Sequence, residues 1–178
     1  MRKELRLSGS GGQGVITAAI IFAEAAVREG RQVAQSQSYG PEARGGASKA
    51  EVIVDDAPIY HPHVEHPDMV LAMTQAAADK YAQDLKAGGV LVVDSELVPN
   101  VPAVPQSVTV KKIAITKLAI QETGRPLSAN IVAIGVLVGL SKIVGIETAE
   151  QAMIARISPA SVEANKKALR VGFMAAEA

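Results

Sequence analysis

Two rhythms of apolar and polar positions run along this chain. Leu5 to Ser8, Gln32 to Gln37, Ser48 to Val54, Asp68 to Met73, Val90 to Val93 and Val108 to Ile113 are short runs of strand character. Between them, Val15 to Arg28 carries apolar residues on one broad face at helical spacing, with Gly30 as its stop. Asp55-Asp56-Ala57-Pro58 predicts a turn, with Ile59 and Tyr60 returning antiparallel. Thr74 is placed to cap a helix running through Lys86, which Gly88-Gly89 ends. Pro99, Pro102 and Pro105 predict an extended surface connection over 98–108. A short helix should end at Gly124. Ser128 should cap a very apolar helix over Ala129 to Val144, and Thr148 another through Ile157. A last helix should start near Pro159 and continue toward Met174. Strands alternating with helices predict a single α/β domain over 1–178. Its expected form is a three-layer α/β/α arrangement with a mainly parallel sheet, an antiparallel hairpin and a helical C-terminal third.

Composition narrows the functions open to such a domain. Among 178 residues, 48% are hydrophobic and 20% charged, which is a globular rather than a disordered balance. The formal charge is zero and aromatic residues make up 3%, so neither a basic footprint nor a stacking platform for nucleic acid is present. There is no cysteine, which excludes disulfides, thiol catalysis and cysteine-ligated iron–sulfur clusters on this chain. The longest apolar run, Ile131 to Leu140, is too short to span a bilayer, and Met1-Arg2-Lys3-Glu4 leads into a strand rather than an apolar leader. The expectation is a soluble, cytoplasmic protein with no nucleic acid or membrane partner.

Candidate chemistry concentrates in two loops. Gly9-Ser10-Gly11-Gly12-Gln13-Gly14 has the G-x-G-x-x-G spacing of a dinucleotide-binding turn, in the first strand-to-helix connection where that turn belongs. Its glycines let backbone amides face an anion at the helix N-terminus. A nicotinamide site also wants an acid about 20 residues on to hold the ribose hydroxyls, and Ala34-Gln35-Ser36-Gln37 supplies none. A tight turn that permits close helix–sheet packing explains the glycines equally well. The second loop is Ser38-Tyr39-Gly40-Pro41-Glu42-Ala43-Arg44-Gly45-Gly46. There Arg44 can offer a bidentate fork to a carboxylate or phosphate and Glu42 can orient it, or the two can form a surface pair of little consequence.

Three further features have quieter explanations. His61, His63 and His66 are candidate metal ligands, with Glu65 beside them, but Pro62 and Pro67 mark a surface connection. Gly135 and Gly139 form a Gly-x-x-x-Gly pair suited to close packing of a buried helix. Asp94 follows a strand and has no histidine placed to partner it, so it reads as a helix- or turn-starting residue before an acid or base.

On its two loops, read with Ser48-Lys49-Ala50-Glu51-Val52 and onward to the helix containing Asn130, the chain resembles the gamma subunit of 2-oxoacid:ferredoxin oxidoreductases. That family includes pyruvate, ketoisovalerate and 2-oxoglutarate enzymes, and the second loop looks most like the 2-oxoglutarate type. The resemblance implies a subunit that works beside alpha, beta and delta-type chains. In such an assembly, thiamine diphosphate with magnesium decarboxylates the 2-oxoacid, iron–sulfur clusters pass electrons to ferredoxin, and coenzyme A takes the acyl group. The absence of cysteine and of a Gly-Asp-Gly diphosphate motif agrees with a chain that holds none of these cofactors by itself. Gly9, Gly11, Gly12, Gln13, Gly14, Ser38, Tyr39, Glu42, Arg44, Gly45 and Gly46 are then expected to contact ligand or partner subunits, with no catalytic residue among them. A homodimer is expected when the chain is isolated, through surface meant for its partners. The competing readings are a free-standing Rossmann-like dinucleotide-binding oxidoreductase and a purely structural interaction module.

Overall fold

The computed structural model describes residues 1–38 and 46–178. Within them a six-stranded sheet has the order β2-β3-β1-β4-β5-β6. The strands are β1 (Lys3–Ser10), β2 (Gln32–Ser38), β3 (Ala47–Asp55), β4 (Met69–Ala72), β5 (Val90–Asp94) and β6 (Thr109–Ile113). β3 runs against both β1 and β2, while β1, β4, β5 and β6 pair in parallel. The mainly parallel sheet and its hairpin are therefore present, but the hairpin joins β2 to β3. Ile59 and Tyr60 form no returning strand: β3 already has β1 on one side and β2 on the other, and Tyr60 stands in solvent.

The helices are α1 (Val15–Arg28), α2 (Gln75–Tyr81), α3 (Ile115–Thr123), α4 (Ala129–Ser141), α5 (Ile146–Ile154) and α6 (Val162–Glu177). Strand alternation assigns them to layers. Leu5 and Leu7 of β1 face a large core shared with α1, α3, α4, α5 and α6, while Val70, Ala72, Leu91 and Val93 face a smaller one under α2. The second face is completed by the proline-rich connection, which replaces a crossover helix between β5 and β6 and buries Val98 and Val108.

Helix ends differ from the sequence expectation where tertiary contacts claim them. Thr74 caps α2 as expected, its Oγ1 accepting from the Ala77 amide at 3.3 Å. The helix nevertheless stops at Tyr81 rather than Lys86, because the Tyr81 carbonyl accepts from Arg6 Nη1 at 3.2 Å and Asp84 turns to the same guanidinium. α4 ends at Ser141, not Val144, with Lys142 at φ 55, so Ile143 and Val144 drop into the core. Ser128 gives no side-chain cap; a 3-10 turn over Pro126–Ser128 leads in instead. α5 starts at Ile146, ahead of Thr148, because the Gly145 amide is taken by Glu29 Oε1 at 2.7 Å. A 3-10 turn over Pro159–Ser161 precedes α6.

α4 is apolar all round and its Gly-x-x-x-Gly pair lies against α6. A Cβ on Gly135 would come within 2.0 Å of the Leu169 carbonyl oxygen, and one on Gly172 within 2.0 Å of the Val132 carbonyl oxygen. The helix backbones touch, and no side chain larger than hydrogen fits between them. Gly135→Ala and Gly172→Ala should each lower unfolding free energy by about 1–3 kcal/mol or more in urea titrations. Gly11→Ala, with nothing within 4 Å of the added methyl, should leave the midpoint where it is.

Candidate functional site

α1 leaves the carboxyl end of β1 for one face of the sheet, and α2 leaves neighbouring β4 for the other. The crevice between the two departures is the topological switch point, the usual ligand position in an open α/β sheet. The Gly9–Gly14 turn forms one side of it. Gly14 sits at φ 76 directly before α1, and a Cβ there would fall 2.6 Å from Asn130 Nδ2. Asn130 Nδ2 in turn donates to the Gly14 carbonyl at 3.5 Å. No side chain caps α1 and no acid occupies its first turn, so its leading amides remain available to an anion.

The Gln13 side chain is tied into the turn itself. Its Oε1 accepts from the Ser10 amide at 2.8 Å, and its Nε2 donates to the Met73 carbonyl at 3.3 Å. The side chain therefore staples the turn to the end of β4. Ser48 Oγ donates to the Gly9 carbonyl at 3.3 Å, and Ser10 pairs with Ala47 in register. Ser38, the last residue of β2, and Gly46, just before β3, are thereby brought to the same sheet edge as the glycine turn. Tyr39, Glu42, Arg44 and Gly45 lie outside the described residues, as do Gly40, Pro41 and Ala43.

Beneath this edge is a charged network. Arg6 is 3% exposed; its Nε donates to Glu51 Oε1 at 2.8 Å, and its Nη1 reaches Asp84 and the Tyr81 carbonyl. Burial pulls the guanidinium down, but the hydrogen bonds it donates to Asp84 and Glu51 outweigh it and hold its pKa above the ordinary value. Lys49 Nζ also donates to Glu51 Oε1, at 2.8 Å, and lies over the Tyr81 ring. The Tyr81 hydroxyl donates to the Ala47 carbonyl at 3.1 Å, which fixes the first residue of β3. The alternation Leu5-Arg6-Leu7 places Arg6 on the α2 face, but its partner emerges only from the Arg6–Glu51 register of β1 and β3.

Asp94 is fully buried at the carboxyl end of β5. One oxygen accepts from the Glu96 amide at 3.1 Å, the other from the Thr116 amide at 2.8 Å and the Thr116 hydroxyl at 2.6 Å. It is the residue that starts α3, reached from outside the helix. The histidines do not converge: the carbonyls of His61 and His63 face Arg2, and His66 Nδ1 lies 3.3 Å from the Asp84 carbonyl. Among the described residues no group of three or more His, Asp or Glu side chains is placed to hold a metal ion, and no helix is long and apolar enough to cross a membrane.

Residues 4–175 match the family of pyruvate ferredoxin/flavodoxin oxidoreductase. The chain is 44% identical over 178 residues to the 2-oxoglutarate synthase subunit KorC of Methanocaldococcus jannaschii, covering 99% of this chain and 95% of that one. The crystal structure of a keto/oxoacid ferredoxin oxidoreductase gamma subunit from Geobacter sulfurreducens superposes with a TM-score of 0.90 at 48% identity, covering 99% of this chain and 97% of that one. The 2-oxoglutarate:ferredoxin oxidoreductase of Magnetococcus marinus, solved with 2-oxoglutarate, coenzyme A and succinyl-CoA bound, shares the fold. Its TM-score is 0.87 at 22% identity, and the match covers 99% of this chain and 31% of the longer one.

Two substitutions separate support from chemistry at this edge. Gln13→Ala should cost about 1–2 kcal/mol in unfolding free energy and speed hydrogen exchange at the Ser10 amide, the signature of a lost staple. Asp94→Asn should cost about 1–3 kcal/mol, since one carboxamide oxygen must replace two acceptors. Lost turnover at unchanged stability would instead make Asp94 an acid or base.

Proposed function

The chain belongs to the pyruvate ferredoxin/flavodoxin oxidoreductase family, and from that premise we propose that it is the gamma subunit of a 2-oxoglutarate:ferredoxin oxidoreductase. The overall reaction converts a 2-oxoacid and coenzyme A to acyl-CoA and carbon dioxide while ferredoxin is reduced. The choice of 2-oxoglutarate follows the name of the KorC relative and the character of the second loop. Partner chains of alpha, beta and delta type carry thiamine diphosphate, magnesium and the iron–sulfur clusters, which supply decarboxylation and electron transfer. A chain without cysteine supplies no thiolate for those clusters.

The contribution of this chain is to bind and orient. The observation that carries the reading is the uncapped start of α1, whose amides open at the switch point beside the glycine turn. Coenzyme A presents phosphates of the charge such amides favour, and the donor set fits that chemistry. Asn130 and Gln13 hold the turn, and Ser38 and Gly46, which flank the second loop in sequence, lie at the same edge; the sequence of that loop offers in Arg44 a cation for phosphate or for a partner's carboxylate. A free-standing dinucleotide enzyme is disfavoured because β2 ends in Ser36-Gln37-Ser38, with no acid for the ribose.

In the assembled complex, Arg44→Ala should raise the KM for coenzyme A or lower the amount of chain recovered with its partners, by roughly tenfold for a lost charge-assisted contact. Unchanged turnover, KM and subunit stoichiometry would remove Arg44 from both roles.

A further inference from the structure

The two edges of the sheet are built differently. β6, at one edge, carries Lys111 and Lys112 and follows the segment containing Pro99, Pro102 and Pro105, which are the usual devices against strand addition. β2, at the other edge, reads Gln32-Val33-Ala34-Gln35-Ser36-Gln37-Ser38, seven residues without a charge or a proline. No described strand lies against its outer side, and the Ser36 carbonyl takes a hydrogen bond from Gln35 Nε2 of its own strand at 3.1 Å. Half the backbone groups of such a strand point outward, ready to pair.

We propose that the outer edge of β2 pairs antiparallel with β2 of a second copy of this chain, about a two-fold axis at Gln35. The sequence around that axis decides the occupant. Antiparallel self-pairing sets Gln35 against Gln35, Ala34 against Ser36, Val33 against Gln37 and Gln32 against Ser38. Every pair is uncharged and of modest size, so nothing repels across the ribbon. A two-fold needs the same patch on both partners, and a neutral strand of odd length satisfies that with one central residue. Self-pairing of β6 would bring Lys111 and Lys112 toward their own copies, and like charges across strands oppose it. The product is one sheet running through two chains, with both glycine turns outside the new seam.

The absence of native cysteine makes the register directly readable. In the proposed pair the two Gln35 Cα atoms lie about 4.5–5.5 Å apart, inside the range a disulfide bridges. The two Gln32 Cα atoms lie about 20 Å apart along the ribbon. Under mild oxidation, the full chain carrying Gln35→Cys should become a covalent dimer, both alone and in the purified complex, while Gln32→Cys should not. Gln35→Lys should shift the dimer midpoint in sedimentation at least tenfold toward higher concentration without moving the unfolding midpoint. A chain that stays monomeric over the concentration series overturns the proposal. So does equal cross-linking at both positions, or a dimer indifferent to Gln35→Lys. A complex in which a different subunit protects the β2 amides, with no Gln35→Cys dimer, overturns it in favour of that subunit as the strand partner.

Discussion

The backbone contact between α4 and α6 governs more than the core it closes. Because Gly135 and Gly172 let the two helices meet at the peptide groups, α4 has one depth and one rotation relative to the sheet. That rotation brings Asn130, in its first turn, to the carbonyl of Gly14. The left-handed Gly14 then aims the start of α1 into the crevice between β1 and β4. A packing constraint between two glycines thus becomes, through one asparagine, a constraint on where α1 begins. Gly14 has little room to be anything else, since a Cβ there would collide with Asn130.

The polar face of the sheet works by a second constraint. Arg6 is buried beside Glu51 and Asp84, so its charge is compensated within the layer. Removing Glu51 would leave the buried Arg6 with Asp84 as its one carboxylate partner in this network, a costlier loss than that of an exposed ion pair. The same network ends α2 at Tyr81 and ties that tyrosine to Ala47 at the root of the second loop. Electrostatics inside the α2 layer therefore reaches, through Tyr81, to the first residue of β3 on the rim.

Much of this was legible in the order of residues. The span of α1, the strand character of β1 through β6, the cap at Thr74 and the stop at Gly124 follow from local pattern and backbone preference. So does the resemblance carried by the two loops, which the family match bears out. Local pattern fails where a distant group intervenes. Nothing near Lys86 says that Arg6 will claim the end of α2, and nothing near Thr148 says that Glu29 will take the Gly145 amide. The internal partners of Gln13 are hidden for a related reason: the Met73 carbonyl comes within its reach only through the placement of β4 beside β1.

The reversed direction of β3 has a consequence for how such a rim can vary. In an all-parallel sheet, the segment after β2 would have to cross the whole domain before re-entering. Here it leaves at Ser38 and returns at Ala47, next to Ser10 on the same rim. Its length and sequence can change while the ladder on either side keeps its pairing. The connection from β2 to β3 thus begins and ends on one rim, and it joins two neighbouring strands without interrupting either ladder.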